Sequence, residues 1–440
     1  MATADATIKL TDQQRHQEAT KVALASLIGA TIEWYDFFLY ATMSAIVFPA
    51  VFFSQATPLV GVVLSYSTLA LGYFARPLGA IFMGHYGDKL GRKAMLVFSL
   101  VLMGSATTLI GLLPPASSIG AAAPVILIVL RLLQGFAVGG EAGGAITMAV
   151  EHAPENRRGL YGGFPQLGVA AGLVMANLII LAATVWMSKE DFNAYGWRIP
   201  FLISVLLLLV GVYVRLKISE SPIFNDMKRT GREAIVPLVD LFTLAWKPII
   251  IVALSTIFTN VMGFTGLVYM LGYGTGQLGF PRQTILWFII IANLVEIPAT
   301  LYFASLSDTI GRRTMVLWGL GVAMLWGLAF FPLANTKEAA LVFIAILGGR
   351  LCISSVYGPQ AAQFSELFDT KIRFSGISIG YAISSVIGAQ TPIVLTWFVA
   401  TGLGVWAMSG FMFLGAFISF IAVLLMWETY KVDLKAKLNT

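Results

Sequence analysis

Charged side chains are scarce in this sequence. Asp, Glu, Lys and Arg make up 11% of its 440 residues, against about 25% in an average soluble protein. The hydrophobic fraction is 58%, and the mean hydropathy is +0.83. A soluble protein of this length would need far more polar surface. The composition therefore excludes a water-soluble fold and indicates that lipid surrounds most of the chain.

Cysteine and histidine are almost absent. The single cysteine, Cys352, lies in an apolar run, and the only histidines are His16, His85 and His152. These numbers exclude a disulfide framework and make a thiol or imidazole metal site improbable, so we expect no metal and no cofactor. The first ~20 residues are polar and do not resemble a cleavable signal peptide, so we expect the first membrane helix to be retained.

Signals for enzymes and for nucleic-acid binding are also missing. The string Gly376-Ile-Ser378-Ile-Gly380 matches a hydrolase motif, but it lies inside an apolar run and not in a strand-to-helix elbow. No phosphate-binding loop is present, which argues against ATP-driven transport. The net charge is +6, yet no basic stripe with interleaved aromatics accompanies it, so we expect no nucleic-acid partner.

Apolar stretches of about 20 residues recur along the chain and predict twelve transmembrane helices, that is, an all-α membrane protein. The predicted spans are 22–53, 59–86, 94–113, 121–148, 158–186, 197–217, 247–272, 282–306, 314–333, 339–363, 373–400 and 403–428.

Lys and Arg are distributed unevenly between the predicted loops. One side of the membrane receives twenty-one of them and the other side only four, which by the positive-inside rule predicts that both termini are cytoplasmic. A polar stretch separates the sixth and seventh spans. We therefore expect a first bundle over 1–217, a cytoplasmic linker over 218–246 and a second bundle over 247–440.

Two charged loops occupy equivalent places in the two halves of the chain. Gly87–Lys93 aligns with Ser307–Arg313, which matches Asp88 with Asp308 and Arg92 with Arg312. Other landmarks repeat in the same order: Arg131 with Arg350, Glu151 with Glu366, and Arg158 with Arg373. These matches predict two pseudo-symmetric six-helix bundles, and duplicated bundles usually transport solutes.

The repeated loops carry a family resemblance. Gly84–Lys93 resembles the loop signature of the major facilitator superfamily at every position, whereas the second copy departs from it at Ala304 and Thr309. Arg131–Gly135 is similar to the fourth-span motif of that superfamily. Further strings resemble its metabolite:proton symporter family: Glu33-Trp-Tyr-Asp36-Phe37, Arg76-Pro77-Leu-Gly79, Gly139-Gly140-Glu141 and Gly196-Trp197-Arg198-Ile-Pro200.

The resemblance implies a monomeric inner-membrane symporter that imports a small organic acid with protons by alternating access. The family includes carriers for shikimate, α-ketoglutarate and citrate, and also for proline and betaine. A zwitterionic osmolyte and uncoupled facilitation therefore remain alternatives. Osmosensing relatives carry a C-terminal coiled coil, and this chain stops about a dozen residues after its last span. Ala142 stands where the family pattern has a bulky residue, which indicates a wider or differently shaped pocket.

Three acidic residues inside the predicted spans are candidates for proton coupling. Glu33 and Asp36 are three residues apart and share a helix face, and Glu141 lies among glycines in the fourth span. Carboxylates at such depth are costly unless they are paired or carry a proton. Asp36 is the deeper of the first two. The alternative for Asp36 is a permanent ion pair with Arg76 that joins two helices.

Arginines and uncharged polar residues inside the spans are candidates for substrate binding. An arginine can grip a carboxylate with two parallel hydrogen bonds, which lysine cannot do. Arg76 and Arg131 could do so, or could pair with the acids. The remaining candidates are hydrogen-bonding side chains: Tyr35, Gln166, Asn260, Tyr357 and Gln360.

The repeated charges at the loops predict a gate. We expect salt-bridge networks that hold the cytoplasmic side closed, across the two halves or within them, and break when that side opens. A topology signal alone would explain the positive charges but not the repeated aspartates. The predicted gating residues are Asp88, Arg92, Asp308, Arg312, Glu151, Arg158, Glu366 and Arg373.

Overall fold

The computed structural model describes residues 12–221, 224–225, 245–432 and 434, and within these ranges the secondary structure is helical. We number the twelve long helices α1 to α12. Their bounds are Asp12–Ile46, Pro58–Leu90, Arg92–Leu112, Ala122–His152, Arg158–Trp186, Arg198–Lys217, Trp246–Gly276, Arg282–Ile310, Arg312–Ala334, Ala339–Leu367, Arg373–Ala400 and Gly404–Leu424. Eleven of these contain an apolar stretch that can cross a membrane, and the 33-residue α2 completes the set.

Several helices extend beyond the apolar stretches from which they were predicted. Helix α1 begins at Asp12 instead of residue 22, because the helix continues through polar residues that precede the apolar run. Three helices are interrupted near their middle: α4 at Gly139 and Gly140, α7 near Thr256 and over the π-helical turn Thr265–Tyr269, and α11 after Gly388. Irregular backbone at membrane depth is tolerated where it lines a cavity.

The two halves pack against each other through two equivalent contacts. Helix α2 of the first half lies along α11 of the second, and α5 of the first half lies along α8 of the second. Each helix of the first half corresponds to the helix six places later in the second half. Helix α2 therefore corresponds to α8 and α5 to α11, so the α2–α11 and α5–α8 contacts are equivalent. The prediction of twelve helices in two pseudo-symmetric bundles is confirmed.

The segment between the halves lies mostly outside the described residues. Helix α6 ends at Lys217 and α7 begins at Trp246, which is compatible with the predicted linker over 218–246. Residues 222–223 and 226–244 are not described. The division into bundles over 1–217 and 247–440 stays a prediction.

The repeated loops are built alike at their glycines. Gly91 has φ +118° between α2 and α3, and Gly311 has φ +100° between α8 and α9. Residues with a side chain rarely adopt such angles, so glycine is required at both turns. We call the end of the bundles that carries these turns the gate end, and the opposite one the far end.

Helices α2 and α4 approach each other closely. A Cβ atom on Gly135 would lie 1.8 Å from the Gly72 carbonyl oxygen, so only glycine fits there. Gly135→Ala is expected to lower stability by about 1–3 kcal/mol through overpacking, measured as a lower melting temperature in detergent. Gly321→Ala is the matched control, because nothing lies within 4 Å of a Cβ at Gly321. Equal melting temperatures for the two variants would contradict the close packing.

Candidate functional site

A cavity lies between the two halves, near the middle of the helices. The volume of the cavity, taken as the space that the centres of water-sized molecules can occupy, is about 130 Å³. Helices of both halves line it, and most of its wall is apolar. Its charged and polar lining comprises Glu33, Arg76, Glu141, Gln166, Thr259, Asn260, Glu296, Arg350, Tyr357, Tyr381 and Ser385.

The two acidic residues of α1 face different surroundings. Glu33 lines the cavity, is 3% exposed, and receives no N–H or O–H donor from the described residues, while the Glu141 carboxyl lies close enough to share a hydrogen bond with it once one of the two is protonated. Asp36 lies outside the cavity, where it accepts a 2.6 Å hydrogen bond from the Ser204 hydroxyl of α6. Three residues turn a helix by about 300°, so the two carboxylates leave α1 about 60° apart, and only Glu33 reaches the cavity. The assignment of Asp36 as the better-placed proton site stays a prediction.

Glu33 and Glu141 are neighbours beside Arg215. Glu141 of α4 is bound by the Arg215 guanidinium of α6 and accepts a 3.2 Å hydrogen bond from the Ser99 hydroxyl of α3. The nearest charges to Glu33 are Glu141, Arg215 and Arg76. Both glutamates could be predicted from the sequence. Arg215 could not, because it lies close to the end of α6 and counts there as one of the loop charges. Only the reach of its side chain back toward α4 reveals its role.

Arg76 of α2 has no counter-ion among the described residues. Its guanidinium carbon lies 4.1 Å from the centre of the Tyr73 ring, 5.3 Å from that of Phe37 and 5.8 Å from that of Trp34. Rings hold a cation through their negative faces. The suggested permanent ion pair between Arg76 and Asp36 is wrong, since Asp36 is bound by Ser204 instead.

The second half contributes an ion pair that was not predicted. Arg350 of α10 donates two hydrogen bonds to one oxygen of Glu296 of α8, the Nε bond being 2.7 Å long. Arg350 was identified in the sequence only as the repeat of Arg131, and Glu296 was not among the predicted site residues. In the alignment of the two repeated loops, Glu296 stands at the position of Arg76, and Arg350 stands opposite Arg131. The first half therefore has arginines at both positions, and these cannot pair with each other.

Three predicted substrate-binding residues lie outside the lining of this cavity. Arg131 donates a hydrogen bond to Gln134 and lies over the Tyr40 ring. Tyr35 donates to the Pro200 carbonyl oxygen, and Gln360 donates to that of Ser255. All three side chains make these contacts within their own half, so their predicted contact with substrate is not supported.

The other predicted binding residues line the cavity. Gln166 of α5 donates hydrogen bonds to the Tyr357 carbonyl and the Tyr381 hydroxyl, which joins the two halves. Asn260 of α7 donates to the Thr256 carbonyl and the Ser384 hydroxyl. Tyr357 of α10 lies close to both Arg76 and Arg350. Tyr381 also lines the cavity, although it was not among the predicted binding residues.

At the gate end, Asp88 caps a helix of the other half. Its carboxylate accepts hydrogen bonds from the backbone N–H and the hydroxyl of Ser375, at 3.0 and 2.7 Å, in the first turn of α11. A carboxylate at a helix N-terminus is stabilised by the free N–H groups and the helix dipole. Nearby, Glu151 of α4 binds Arg92 at 3.2 Å and Arg373 of α11 at 2.5 Å.

Asp308 makes the symmetry-related contact. It accepts hydrogen bonds from the backbone N–H groups of Gly159 and Leu160 in the first turn of α5, at 2.8 and 2.9 Å. Arg312 binds Asp308 at 2.7 Å and Glu366 at 3.4 Å. Arg158 donates to the Val432 carbonyl at 2.6 Å. Between the halves, Asp88 and Asp308 thus act as helix caps, and the Glu151–Arg373 ion pair also crosses, while the ion pairs of Arg92 and Arg312 lie within one half.

Removing both caps is expected to open the gate end. In an Asp88→Asn, Asp308→Asn variant, the α5 and α11 N-termini lose their negative partners. Spin labels at exposed Glu155→Cys and Thr309→Cys, with Cys352→Ser, should then report a longer distance between the halves. Glu338→Gln, an exposed change at the far end, serves as control. An unchanged distance distribution would mean that the caps do not hold the gate.

A second cavity continues from the first toward the far end. The two share Phe38, Leu267 and Val268 in their linings, and the second also includes Tyr66 and Arg282. At the gate end, the hydrogen bonds of Asp88 and Asp308 join the two halves and close it. The structure therefore has a closed gate end and a central cavity that extends toward the far end.

Comparisons with known proteins agree with this architecture. A model of the Major Facilitator Superfamily matches residues 27–392. The chain is 37% identical to the inner membrane metabolite transport protein YhjE of Escherichia coli, over 93% of this chain and 94% of the relative. It is 34% identical to the shikimate transporter of the same organism, over 94% and 95%. A putative proline/betaine transporter of Staphylococcus haemolyticus is 32% identical, over 92% and 87%.

A solved structure shows the same fold. The proton:xylose symporter XylE superimposes with a TM-score of 0.77 at 16% identity, covering 97% of this chain and 99% of that one. At this identity the likeness concerns the fold alone. Because the family model spans most of the chain and the relatives just named match nearly its whole length, this protein belongs to the Major Facilitator Superfamily, as a multi-pass membrane transporter of metabolites and not an enzyme.

Proposed function

We propose that this transporter is a symporter that imports a small organic acid together with protons by alternating access. The observation that carries the proposal is the pairing of two unsatisfied groups in one cavity. Arg76 makes no ion pair within the described chain, and Glu33 beside it receives no N–H or O–H donor there but has the Glu141 carboxyl as a hydrogen-bonding neighbour. A cation without an ion pair suits an anionic substrate, and a buried carboxyl group whose neighbour is a second carboxylate suits a proton.

The anion would bind to Arg76. A buried charge is unfavourable unless it is paired, so the guanidinium gains most from a ligand that supplies a carboxylate. Its planar donors match the two oxygens of that group. Tyr357 lines the same cavity, and its hydroxyl would supply a further hydrogen bond to the anion.

The proton would bind to Glu33. Two neighbouring carboxylates in a buried site do not both ionise readily, and Arg215 already stabilises the charge of Glu141. A neutral Glu33 no longer attracts the nearby Arg76, which is then free to bind the substrate. Proton and anion therefore favour each other's binding, which is the thermodynamic requirement for symport. Asp36 remains a candidate for a second proton, through its bond to α6.

The gate end would face the cytoplasm. The excess of Lys and Arg at this end supports that orientation, with both termini inside. The relative YhjE is named as an inner membrane protein, which supports the same location here. The closed gate would then correspond to an outward-facing or occluded step of the cycle, and breaking the Asp88 and Asp308 caps would lead to the inward-facing one.

Uptake into proteoliposomes tests the proposal. A panel of radiolabelled organic acids and glycine betaine is offered with an imposed inward proton gradient. We expect at least one acid to accumulate and the accumulation to collapse with a protonophore. Betaine accumulation without that of any acid would support the osmolyte alternative, and equilibration that ignores the gradient would support uncoupled facilitation.

A further inference from the structure

We infer that the cavity takes a monocarboxylate whose body is an apolar ring or branched chain, and that one such anion binds with one proton. The inference rests on the proposed function and adds the chemical class of its substrate. It is carried by which cations in the cavity are already bound, by the charge balance of the lining, and by what the walls offer to the rest of the ligand.

Only one guanidinium in the lining is available for a carboxylate. Arg350 is bound to Glu296 through two N–H groups that share one oxygen. Arg215, next to the lining, is bound to Glu141. Arg76 alone has aromatic rings and no acid as neighbours in direct contact within the described residues. A second carboxylate on the ligand would meet Glu296 and not a free cation.

The charges of the site give the same result. The cations Arg76 and Arg350 of the lining, with Arg215 and Arg131 beside it, balance Glu33, Glu141, Glu296 and Asp36 when every one of the acids is ionised. A proton on Glu33 leaves a surplus of one positive charge. One monoanion restores neutrality, whereas a dianion would leave an uncompensated negative charge in a buried site. Transport of one proton with one monoanion is electroneutral.

The walls favour an apolar body. Trp34, Phe37 and Tyr73 surround Arg76, and Phe264 and Ile353 face them from the second half. The amide N–H groups of the lining are already used within the protein, as in Gln166 and Asn260. Because most of the wall is apolar, a ligand with several hydroxyl groups would place some of them against side chains that cannot hydrogen-bond, which is costly.

The same aromatic faces argue against a zwitterion. Trp34, Phe37 and Tyr73 are the side chains that could hold a quaternary ammonium group. The Arg76 guanidinium already lies over them. A second cation there would meet a like charge in a site of low dielectric constant.

Matched ligand pairs test the inference on the purified full-length protein. Binding is measured by calorimetry at mildly acidic pH. The protein is kept in detergent and not in vesicles, because uncharged benzoic acid crosses bilayers unaided. Benzoate is compared with terephthalate, which adds a second carboxylate to the same ring. Cyclohexanecarboxylate is compared with shikimate, which adds hydroxyl groups to a six-membered ring. We expect the first member of each pair to bind at least about tenfold more tightly, since buried unpaired groups produce discrimination of this order or larger.

A charge variant tests the role of the second ion pair. Glu296→Gln frees Arg350, so the preference for benzoate over terephthalate should fall by about tenfold or more, as expected for one new charge-assisted bond. The double variant Glu296→Gln, Arg350→Gln removes both charges and should restore the preference. If either variant fails to fold, the affinities of the native protein for the two ligand pairs still test the inference.

The inference would be overturned by binding of terephthalate or of shikimate that is as tight as, or tighter than, that of its partner. Either result with binding that still depends on Arg76 and on pH would leave the proposed symport intact and change only the substrate class. Binding of benzoate that is independent of Arg76 would overturn both. Binding of glycine betaine in preference to every acid would also overturn both.

Discussion

Glu33→Gln is expected to abolish proton-driven accumulation while leaving exchange intact. Glutamine has the shape of a protonated glutamate and cannot release the proton, so the cavity stays permanently ready to bind the anion. For one coupled proton, a gradient of one pH unit can support about tenfold accumulation of the substrate. In the variant this ratio should fall to one, whereas counterflow of labelled against unlabelled acid, with the acid that the native protein accumulates, should persist.

Two further variants make the Glu33 experiment specific. Glu190→Gln removes a carboxylate that is exposed at the far end, and it should accumulate substrate like the native protein. Asp36→Asn removes the carboxylate that lies outside the cavity, so any loss there would identify a second proton site. Full accumulation by Glu33→Gln would show that the proton is carried elsewhere.

Arg76→Gln is expected to remove substrate binding with no loss of stability. Deleting one partner of a buried charge pair costs about 2–5 kcal/mol of binding free energy, which is roughly 30-fold or more in affinity. Because Arg76 makes no ion pair in the described part of the chain, its removal breaks none, and Glu33 beside it can stay neutral by keeping its proton. The melting temperature without ligand should therefore stay the same or rise, while calorimetry with benzoate should detect little binding.

Arg350→Gln provides the contrast for this result. It strips Glu296 of its partner and should lower the melting temperature, since breaking a buried ion pair typically costs about 3–5 kcal/mol. Arg157→Gln, an exposed arginine at the gate end, controls for loss of positive charge alone. A large drop in melting temperature for Arg76→Gln would mean that Arg76 supports the fold and not the ligand.

The fold could be predicted because it depends on properties that are local in the sequence. Apolar stretches give the helices, the excess of Lys and Arg predicts their orientation, and the repeated loops give the duplication. Gly91 and Gly311 stand in turns that require glycine. The extent of α1 was underestimated, because a helix does not end where its apolar run ends.

The site was only partly predictable, because its partners come from different helices. Glu33, Arg76 and Glu141 could be singled out as charges at membrane depth, but their partners depend on side-chain direction. The rotation of α1 sends Asp36 toward Ser204 and Glu33 into the cavity. The reach of Arg215 to Glu141 has no signal in the sequence.

The duplication explains why, among the described residues, Arg76 and Arg131 of the first half form no ion pair. The repeat pairs Arg76 with Glu296 and Arg131 with Arg350. In the second half these positions carry opposite charges and form an ion pair. In the first half both are arginines, and Arg131 turns to Gln134. Arg76 is left for a ligand.

The pH dependence of binding tests most directly whether proton and anion are coupled through Glu33 and Arg76. Calorimetry measures the affinity for benzoate from mildly acidic to mildly alkaline pH in the native protein and in Glu33→Gln. If one proton is taken up with the anion, the native affinity should fall by up to about tenfold per pH unit on the alkaline side, and the affinity of the variant should stay constant. An equal pH dependence in both proteins would contradict the account.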